Sequence, residues 1–239
     1  MFMMLIYQLY SQLERLPVKP PVTIALLALN IIPHILEINL LGYDMSNIGQ
    51  NCIKPSIIVT SLVDGRGILL NRLVLAGFMH VDESHLYYNM MSLCWKGINL
   101  EIQMGTPAFL QLVVFSFLVS HSLMVLLSYV LYIYSDFTAS YHTCAIGFSA
   151  VLFSLKYVWN LSDTSNSNIM GINVSSNYAA WLELILVSVL HPNVSFIGHL
   201  SGILAGIIYV HGKPLLAQRF NFSSSMGRRV GGRPSGHRI

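Results

Sequence analysis

The segment FIGHLSGILAGIIYV, residues 196–210, is apolar along nearly its whole length and yet carries one histidine, His199. Gly198, Gly202 and Gly206 recur every four residues within it. Small residues at this spacing let a second helix approach closely inside a lipid bilayer. Ionisable side chains are costly in a bilayer, so we expect His199 to belong to a functional site.

The composition indicates the class of protein around this segment. Hydrophobic residues make up 54% of the 239 residues and charged residues only 10%, whereas soluble domains carry about 25% charged residues. Only helices or closed barrels satisfy their backbone polar groups within lipid. The apolar runs are long and lack the alternation of strands, which excludes a barrel and predicts an all-α, polytopic membrane protein. With a net charge of only +3, we expect no nucleic-acid partner.

Six stretches are apolar enough to cross a hydrocarbon core of about 30 Å. They are residues 22–38, 85–100, 108–134, 145–160, 178–190 and 196–210. We therefore expect residues 21–212 to form one six-span domain. A cytosolic segment, 1–20, would precede it, and its apolar start favours an interfacial helix over a signal peptide. The basic tail, 213–239, is rich in Gly and Ser, and we expect it to be disordered. The tail could be a solvated segment that only enforces topology, or it could contact anionic lipid heads or an acidic cytosolic partner.

The basic residues predict the orientation of these spans. If both termini are cytosolic, the opposite side holds only Lys54, Arg66 and Arg72. The cytosolic side then holds Arg15, Lys19, Lys96, Lys156, Lys213, Arg219, Arg228, Arg229, Arg233 and Arg238. This asymmetry agrees with the positive-inside rule. Lys96 and Lys156 lie near the cytosolic ends of their spans, where we expect their side chains to snorkel.

The cysteines give little indication of a function. Cys52, Cys94 and Cys144 are too few for a disulfide framework. Cys94 and Cys144 lie in or beside apolar runs, and we expect both to act as small hydrophobic residues.

The predicted orientation places polar residues from three spans at one depth. Ser149 opens span four, His199 opens span six, and His85 and Asn89 open span two. All four then lie just below the non-cytosolic surface. Such convergence is expected of a site rather than of isolated polar residues.

These residue types fit the cleavage of an amide bond. Ser149 could be the nucleophile and His199 its base, because a neutral imidazole accepts a proton at physiological pH. His85 and Asn89 are spaced i, i+4 and project from one helix face. Both could donate hydrogen bonds to a developing oxyanion. A metal site formed by His80, His85 and His199 is the weaker alternative, because it leaves Asn89 and Ser149 without a role.

Four motifs, in this order, resemble those of the rhomboid intramembrane serine proteases. They are His80-x4-His85-x3-Asn89, Glu101-x3-Gly105, Gly147-Phe148-Ser149 and His199-x2-Gly202-x3-Gly206. The resemblance covers about residues 22–212. The segment Trp95–Glu101 and the six-span form resemble the endoplasmic-reticulum subgroup in particular.

The resemblance implies a fold and an activity. It implies a six-helix rhomboid bundle with a Ser149–His199 dyad and an oxyanion hole formed by His85, Asn89 and the Ser149 N–H. It implies single-span membrane proteins as substrates, surrounding lipid, and no metal or organic cofactor. For the subgroup it also implies a location in the endoplasmic reticulum and a link to protein degradation.

Some positions depart from the family pattern. Ala150 stands where a glycine is usual, and Phe153 stands where a tyrosine often stacks on the histidine. We expect the Phe153 ring to stack on His199 as well. Ala150 favours the alternative function, a catalytically inactive rhomboid-like protein that binds membrane-protein clients.

Overall fold

The computed structural model of this protein describes residues 1–36, 39–40, 43–44, 47–67, 69–135, 137–162, 166–169, 171–191 and 194–212. The tail predicted to be disordered, 213–239, lies outside these residues.

Most of the described residues are helical, which confirms the prediction of an all-α fold. The helices are α1 Phe2–Glu14, α2 Pro21–Leu36, α3 Ile48–Asn51, α4 Pro55–Val63, α5 Leu70–Leu75, α6 Glu83–Met104, α7 Thr106–Tyr134, α8 Ala139–His142, α9 Ser149–Ser162, α10 Ser176–Leu190 and α11 Phe196–Gly212. A short 3-10 turn, Ala76–Phe78, follows α5. Two short antiparallel hairpins pair β1 Asn39–Leu40 with β2 Tyr43–Asp44, and β3 Asn166–Ile169 with β4 Ile172–Ser175.

Local sequence explains where the long helices begin and end. Asp82 caps α6, since its carboxylate accepts the backbone N–H of His85 at 2.8 Å. Gly105, with φ of 84°, ends α6 and starts α7, because a left-handed backbone conformation suits glycine. Pro107 follows in the first turn of α7, where its missing N–H removes no helical hydrogen bond.

A helix occupies each of the six stretches predicted to be spans. Among the described residues, α7 is the one helix that is both long and apolar enough to cross a membrane unaided. The helices α2, α10 and α11 are apolar but shorter. Span four begins at Ser149 rather than at Ala145, because Ala145 pairs with the distant Ile53 and residues 146–148 are not helical.

The helix α9 occupies the centre of the bundle. It is packed against α6, α7, α10 and α11. On its α7 side, the buried hydroxyls of Ser116 and Ser154 are hydrogen-bonded at 2.8 Å. On the other side of α6, α2 is held through Glu101, whose carboxylate accepts the N–H groups of Val22 and Thr23. The helix that begins at Ser149 is therefore packed among four others.

The position of α1 differs from the interfacial helix that we expected. Leu5 and Leu9 are buried in the main hydrophobic core. The Tyr87 hydroxyl donates to Gln8 at 2.7 Å, and the Cys94 thiol lies 3.4 Å from the Gln12 side-chain oxygen. These pairs advance together along both helices, so α1 runs parallel to α6. The start of α1 therefore lies at the end of the bundle that carries His85, and not at the predicted cytosolic end.

The cysteine prediction was wrong for one pair. A disulfide joins Cys52 to Cys144, with their Cα atoms 5.5 Å apart, a separation normal for this bond. Cys144 is exposed and does not act as a buried hydrophobic residue. Cys94 is free and buried. Three cysteines exclude a framework of several disulfides but not a single bond between distant loops.

Candidate active site

The segment before Ser149 is held by backbone hydrogen bonds to another part of the chain. Ile53 and Ala145 exchange two such bonds, each of 2.9 Å, and the Gly147 N–H donates to the Ala76 carbonyl at 2.8 Å. Gly147 has φ of 110°, and a Cβ built on it would lie 2.8 Å from the His85 ring. Glycine is therefore required at 147 both by the backbone and by the closeness of His85.

The structure places His199 beside Ser149. Its Nε2 atom is 3.0 Å from the Ser149 Oγ, which is hydrogen-bonding distance. His199 is only 6% exposed. The Phe153 ring, one turn after Ser149, lies against the imidazole with ring centroids 4.6 Å apart. The geometry thus allows His199 to accept the serine proton while Phe153 fixes the plane of its ring.

No carboxylate completes this pair into a triad within the described residues. The Nδ1 atom of His199 is buried and has no hydrogen-bond partner in this part of the chain. Ser149 is the first residue of α9, and backbone N–H groups in a first helical turn have no helical acceptor. Those groups and the helix dipole favour negative charge at this point.

His85 and Asn89 lie one turn apart at the start of α6. The His85 ring contacts Gly147, two residues before Ser149. The Ser84 hydroxyl and the His85 backbone N–H both donate to the Asp82 carboxylate and lower its pKa. Asn89 donates through Nδ2 to the His85 carbonyl at 2.8 Å, so one of its two amide N–H groups is engaged by its own helix. The structure therefore brings His85 to the serine loop and places Asn89 one turn deeper.

The glycines of α11 permit its close approach to α9. A Cβ on Gly202 would collide with the carbonyl oxygen of Ala150, and a Cβ on Gly206 would lie 3.0 Å from the Ser154 carbonyl oxygen. Two helix backbones in such contact can hold a short hydrogen bond between their side chains. This packing is what brings Ser149 and His199 within reach of each other.

Comparison with known proteins identifies the family. The model of the rhomboid domain matches residues 69–213, which is more than half of the chain and includes all four residues of the site. The chain belongs to the rhomboid family. It is therefore an integral membrane protein, and the resemblance seen in its motifs is confirmed at the level of the family.

Two relatives show how far the similarity extends. Rhomboid-like protein 14, mitochondrial, of Arabidopsis thaliana is 43% identical over 201 residues, which cover 84% of this chain and 58% of that protein. Human rhomboid-related protein 4 is 34% identical over 212 residues, covering 87% of this chain and 63% of that protein. The chain thus spans about three fifths of the length of these relatives. One name assigns its protein to mitochondria, and neither mentions the endoplasmic reticulum.

A cluster of charges in this rhomboid domain was not foreseen. Glu183 lies 3.6 Å from Lys96 and 3.0 Å from Lys156, measured between the charged atoms. Lys96 is 5% exposed and also bonds the Ser92 hydroxyl at 2.7 Å, so it does not snorkel as we expected. The sequence spacing of the two lysines could have indicated this cluster. Lys96 is seven residues after Asn89, and Lys156 is seven residues after Ser149. Seven residues are two helical turns, which keeps each lysine on the face that carries the site.

The other histidines form no metal centre among the residues described. His80 lies beside His85 with ring centroids 5.0 Å apart, and neither of its ring nitrogens has a hydrogen-bond partner there. No group of three or more His, Cys, Asp or Glu in the described ranges is arranged to hold a metal ion. The structure therefore offers no geometric support for the alternative of a metal site.

Proposed function

We propose that this rhomboid protein is an intramembrane serine protease that cleaves single-span membrane proteins. The observation that carries the proposal is the 3.0 Å hydrogen bond between Ser149 Oγ and His199 Nε2. It lies at the start of a central helix, where free backbone N–H groups can stabilise an oxyanion. The burial of His199 and its contact with Phe153 add support, since a preorganised base loses little freedom in the reaction.

The proposed reaction follows from these positions. His199 Nε2 takes the proton of Ser149 as its oxygen attacks the carbonyl carbon of the substrate. The oxyanion is stabilised by the Ser149 backbone N–H, by the His85 ring and by the Asn89 amide, which would turn from the His85 carbonyl toward the substrate. His199 then gives its proton to the leaving amine and an acyl-enzyme forms. A water molecule, deprotonated by His199, releases the acyl group from Ser149.

The proposal includes an arrangement in the membrane. The helices α2, α6, α7, α9, α10 and α11 would span the bilayer, with Ser149 and His199 near the non-cytosolic surface. An endoplasmic-reticulum membrane is consistent with the Cys52–Cys144 disulfide on that side, because disulfides persist in oxidising compartments. A role in protein degradation and the binding of lipid or a cytosolic partner by residues 213–239 complete the proposal.

Cleavage in proteoliposomes tests the proposed activity. The purified chain is reconstituted with a single-span membrane protein, and fragments are followed by gel electrophoresis and mass spectrometry. We expect wild type to cleave and Ser149→Ala or His199→Ala to lose at least about 10³-fold in rate. A matched control is Ser201→Ala, since Ser201 is buried on α11 and its hydroxyl donates to the Ile197 carbonyl of its own helix. Fragments that persist with Ser149→Ala would refute the proposal.

The alternative function is client binding without cleavage, and Ala150 is the residue that favours it. Ala150→Gly supplies the test, because it removes one methyl group beside the oxyanion site. Equal cleavage by wild type and Ala150→Gly supports the protease. Capture of the single-span protein without cleavage by wild type, together with cleavage by Ala150→Gly, would support the alternative.

A further inference from the structure

We infer that the Cys52–Cys144 disulfide positions the nucleophile, so that proteolysis requires an oxidised non-cytosolic face. This inference rests on the proposed function. Cys144 lies five residues before Ser149, and the short non-helical segment between them leads into α9. Cys52 and Cys144 would act as positioning residues, since neither is placed to touch the substrate.

The disulfide is continuous with the hydrogen bonds that orient the serine. Cys52 and Cys144 are joined immediately before Ile53 and Ala145, which exchange two backbone hydrogen bonds of 2.9 Å. Gly147 follows with a bond to the Ala76 carbonyl. The covalent bond thus closes one end of a short paired segment, and Ser149 is at the other end.

The loop at the Cys52 end is itself well anchored. Cys52 is fully buried, and its N–H donates to the Ile48 carbonyl at 2.8 Å. Arg72 Nη1 donates to the carbonyl oxygens of both Gly49 and Cys52, at 3.1 Å each. Cys144, by contrast, is exposed. The disulfide therefore ties the exposed start of the serine segment to an anchored loop.

Loss of this bond would leave the serine segment held by three backbone hydrogen bonds, to Ile53 and Ala76, and by the packing of Phe148 in the core. Each such hydrogen bond contributes only about 1 kcal/mol of net stability. Gly147 has a backbone conformation that only glycine adopts readily, so its own preferences restrain the segment little. Displacement of a reacting group by about 1 Å costs on the order of 10² in rate. We therefore expect reduction to lower turnover without unfolding the bundle.

The redox step balances by thiol–disulfide exchange with a dithiol. A thiolate of the dithiol attacks the exposed Cys144 sulfur, and Cys52 leaves as a thiolate that takes up a proton. The second thiol of the reagent then displaces Cys144, which is released as a thiol. The protein gains two electrons and two protons, and the dithiol becomes a cyclic disulfide. Oxidised glutathione reverses the change and is itself reduced to two thiols.

The experiment compares oxidised, reduced and reoxidised protein in the same proteoliposomes. Dithiothreitol reduces the full chain, glutathione disulfide reoxidises it, and kcat and KM for a single-span substrate are measured in each state. We expect kcat to fall by about tenfold to a hundredfold on reduction, with KM nearly constant, and to return on reoxidation. The rate of labelling of Ser149 by a fluorophosphonate should follow kcat.

Variants separate positioning from general stability. The double variant Cys52→Ser/Cys144→Ser should show the reduced kcat from the start and no response to dithiothreitol. Cys94→Ser is the matched control, because Cys94 is the free, buried cysteine, and it should respond as wild type does. Thermal unfolding of each state shows how much protein is folded during the assay. A fall in kcat no larger than the folded fraction would overturn the positioning role.

The outcomes distinguish this inference from the proposed function. Absence of cleavage in the oxidised and the reduced state would refute the protease itself. Cleavage that does not change on reduction refutes only the role of the disulfide. Alkylation of both Cys52 and Cys144 in protein isolated from membranes without reductant would also overturn it, whatever the activity.

Discussion

Substitution of Gly202 by alanine should separate α9 from α11. The added Cβ would collide with the Ala150 carbonyl oxygen and would lie 2.9 Å from the Ala150 carbonyl carbon and 3.0 Å from the Phe153 Cβ. None of these atoms can rotate away, because all belong to or adjoin the backbone of α9. Overpacking costs about 1–3 kcal/mol, and we expect the upper end, about 3 kcal/mol of unfolding free energy. A shift of about 1 Å between Ser149 and His199 should lower cleavage about a hundredfold.

Other glycines of α11 form a graded series with Gly202. A Cβ at Gly206 would lie 3.0 Å from the Ser154 carbonyl oxygen, so Gly206→Ala should cost about 1 kcal/mol. At Gly198 the nearest atom is the Ser195 hydroxyl, at 3.1 Å, and that side chain can rotate. At Gly212 no heavy atom lies within 4 Å, which makes Gly212→Ala the matched control. The expected order of destabilisation is 202, then 206, then 198, with no loss at 212.

Thermal or denaturant unfolding in detergent measures this order, and the cleavage assay measures its effect on the site. The expected destabilisation comes from the close approach of the two helices and not from the loss of glycine as such. Equal destabilisation at positions 202 and 212 would refute it. So would a Gly202→Ala protein that keeps both its stability and its rate.

Three further predictions concern polar side chains at helix ends and in the core. Asp82→Ala should cost about 1 kcal/mol by removing the cap of α6 and should slow cleavage through His85, whereas Asp82→Asn, an equally good cap, should keep both properties. Glu101→Gln weakens acceptance of the two N–H groups that start α2, and a lower unfolding temperature should report a loss of about 1.5–3 kcal/mol. Glu183→Gln leaves two lysines without their counter-charge and should cost about 3–5 kcal/mol. Restoration of stability when Met replaces Lys96 and Lys156 and Leu replaces Glu183 would confirm this cause, and continued instability would contradict it.

Much of the fold could be predicted because its signals are local. The long apolar runs located the six principal helices, and Gly105 with Pro107 marks a helix boundary by backbone preference alone. Span four was misjudged because residues 145–148 are apolar but not helical, and Ala145 pairs with Ile53, which lies far away in the chain. The position of α1 was predicted wrongly for the same reason, because its contacts are with a helix far away in the chain. An apolar helix reveals that it will be buried, but not which helix will cover it.

For the site, the sequence could predict only the depth of each residue in the bilayer. Alternating spans bring the starts of α6, α9 and α11 to one end of the bundle, and this put His85, Ser149 and His199 in the same layer. Which side-chain atoms then meet depends on the rotation of each helix about its axis. The hydrogen bond from the Asn89 amide to the His85 carbonyl depends on such rotation. The disulfide depends on loop folding, which no periodic pattern encodes.

The charge cluster shows how further contacts can be deduced once two helix faces are known to meet. The approach of His85 to Gly147 and the packing of α6 on α9 bring together the helix faces that carry Lys96 and Lys156, about 10 Å deeper than Asn89 and Ser149. Two ammonium groups buried together need a carboxylate nearby, since an unpaired charge in a bilayer is costly. Glu183 is the one acidic residue in the middle of a predicted span, and it is the residue that pairs with both lysines. Once α6 and α9 are known to pack together, charge balance therefore favours a contact between α10 and the lower half of the site.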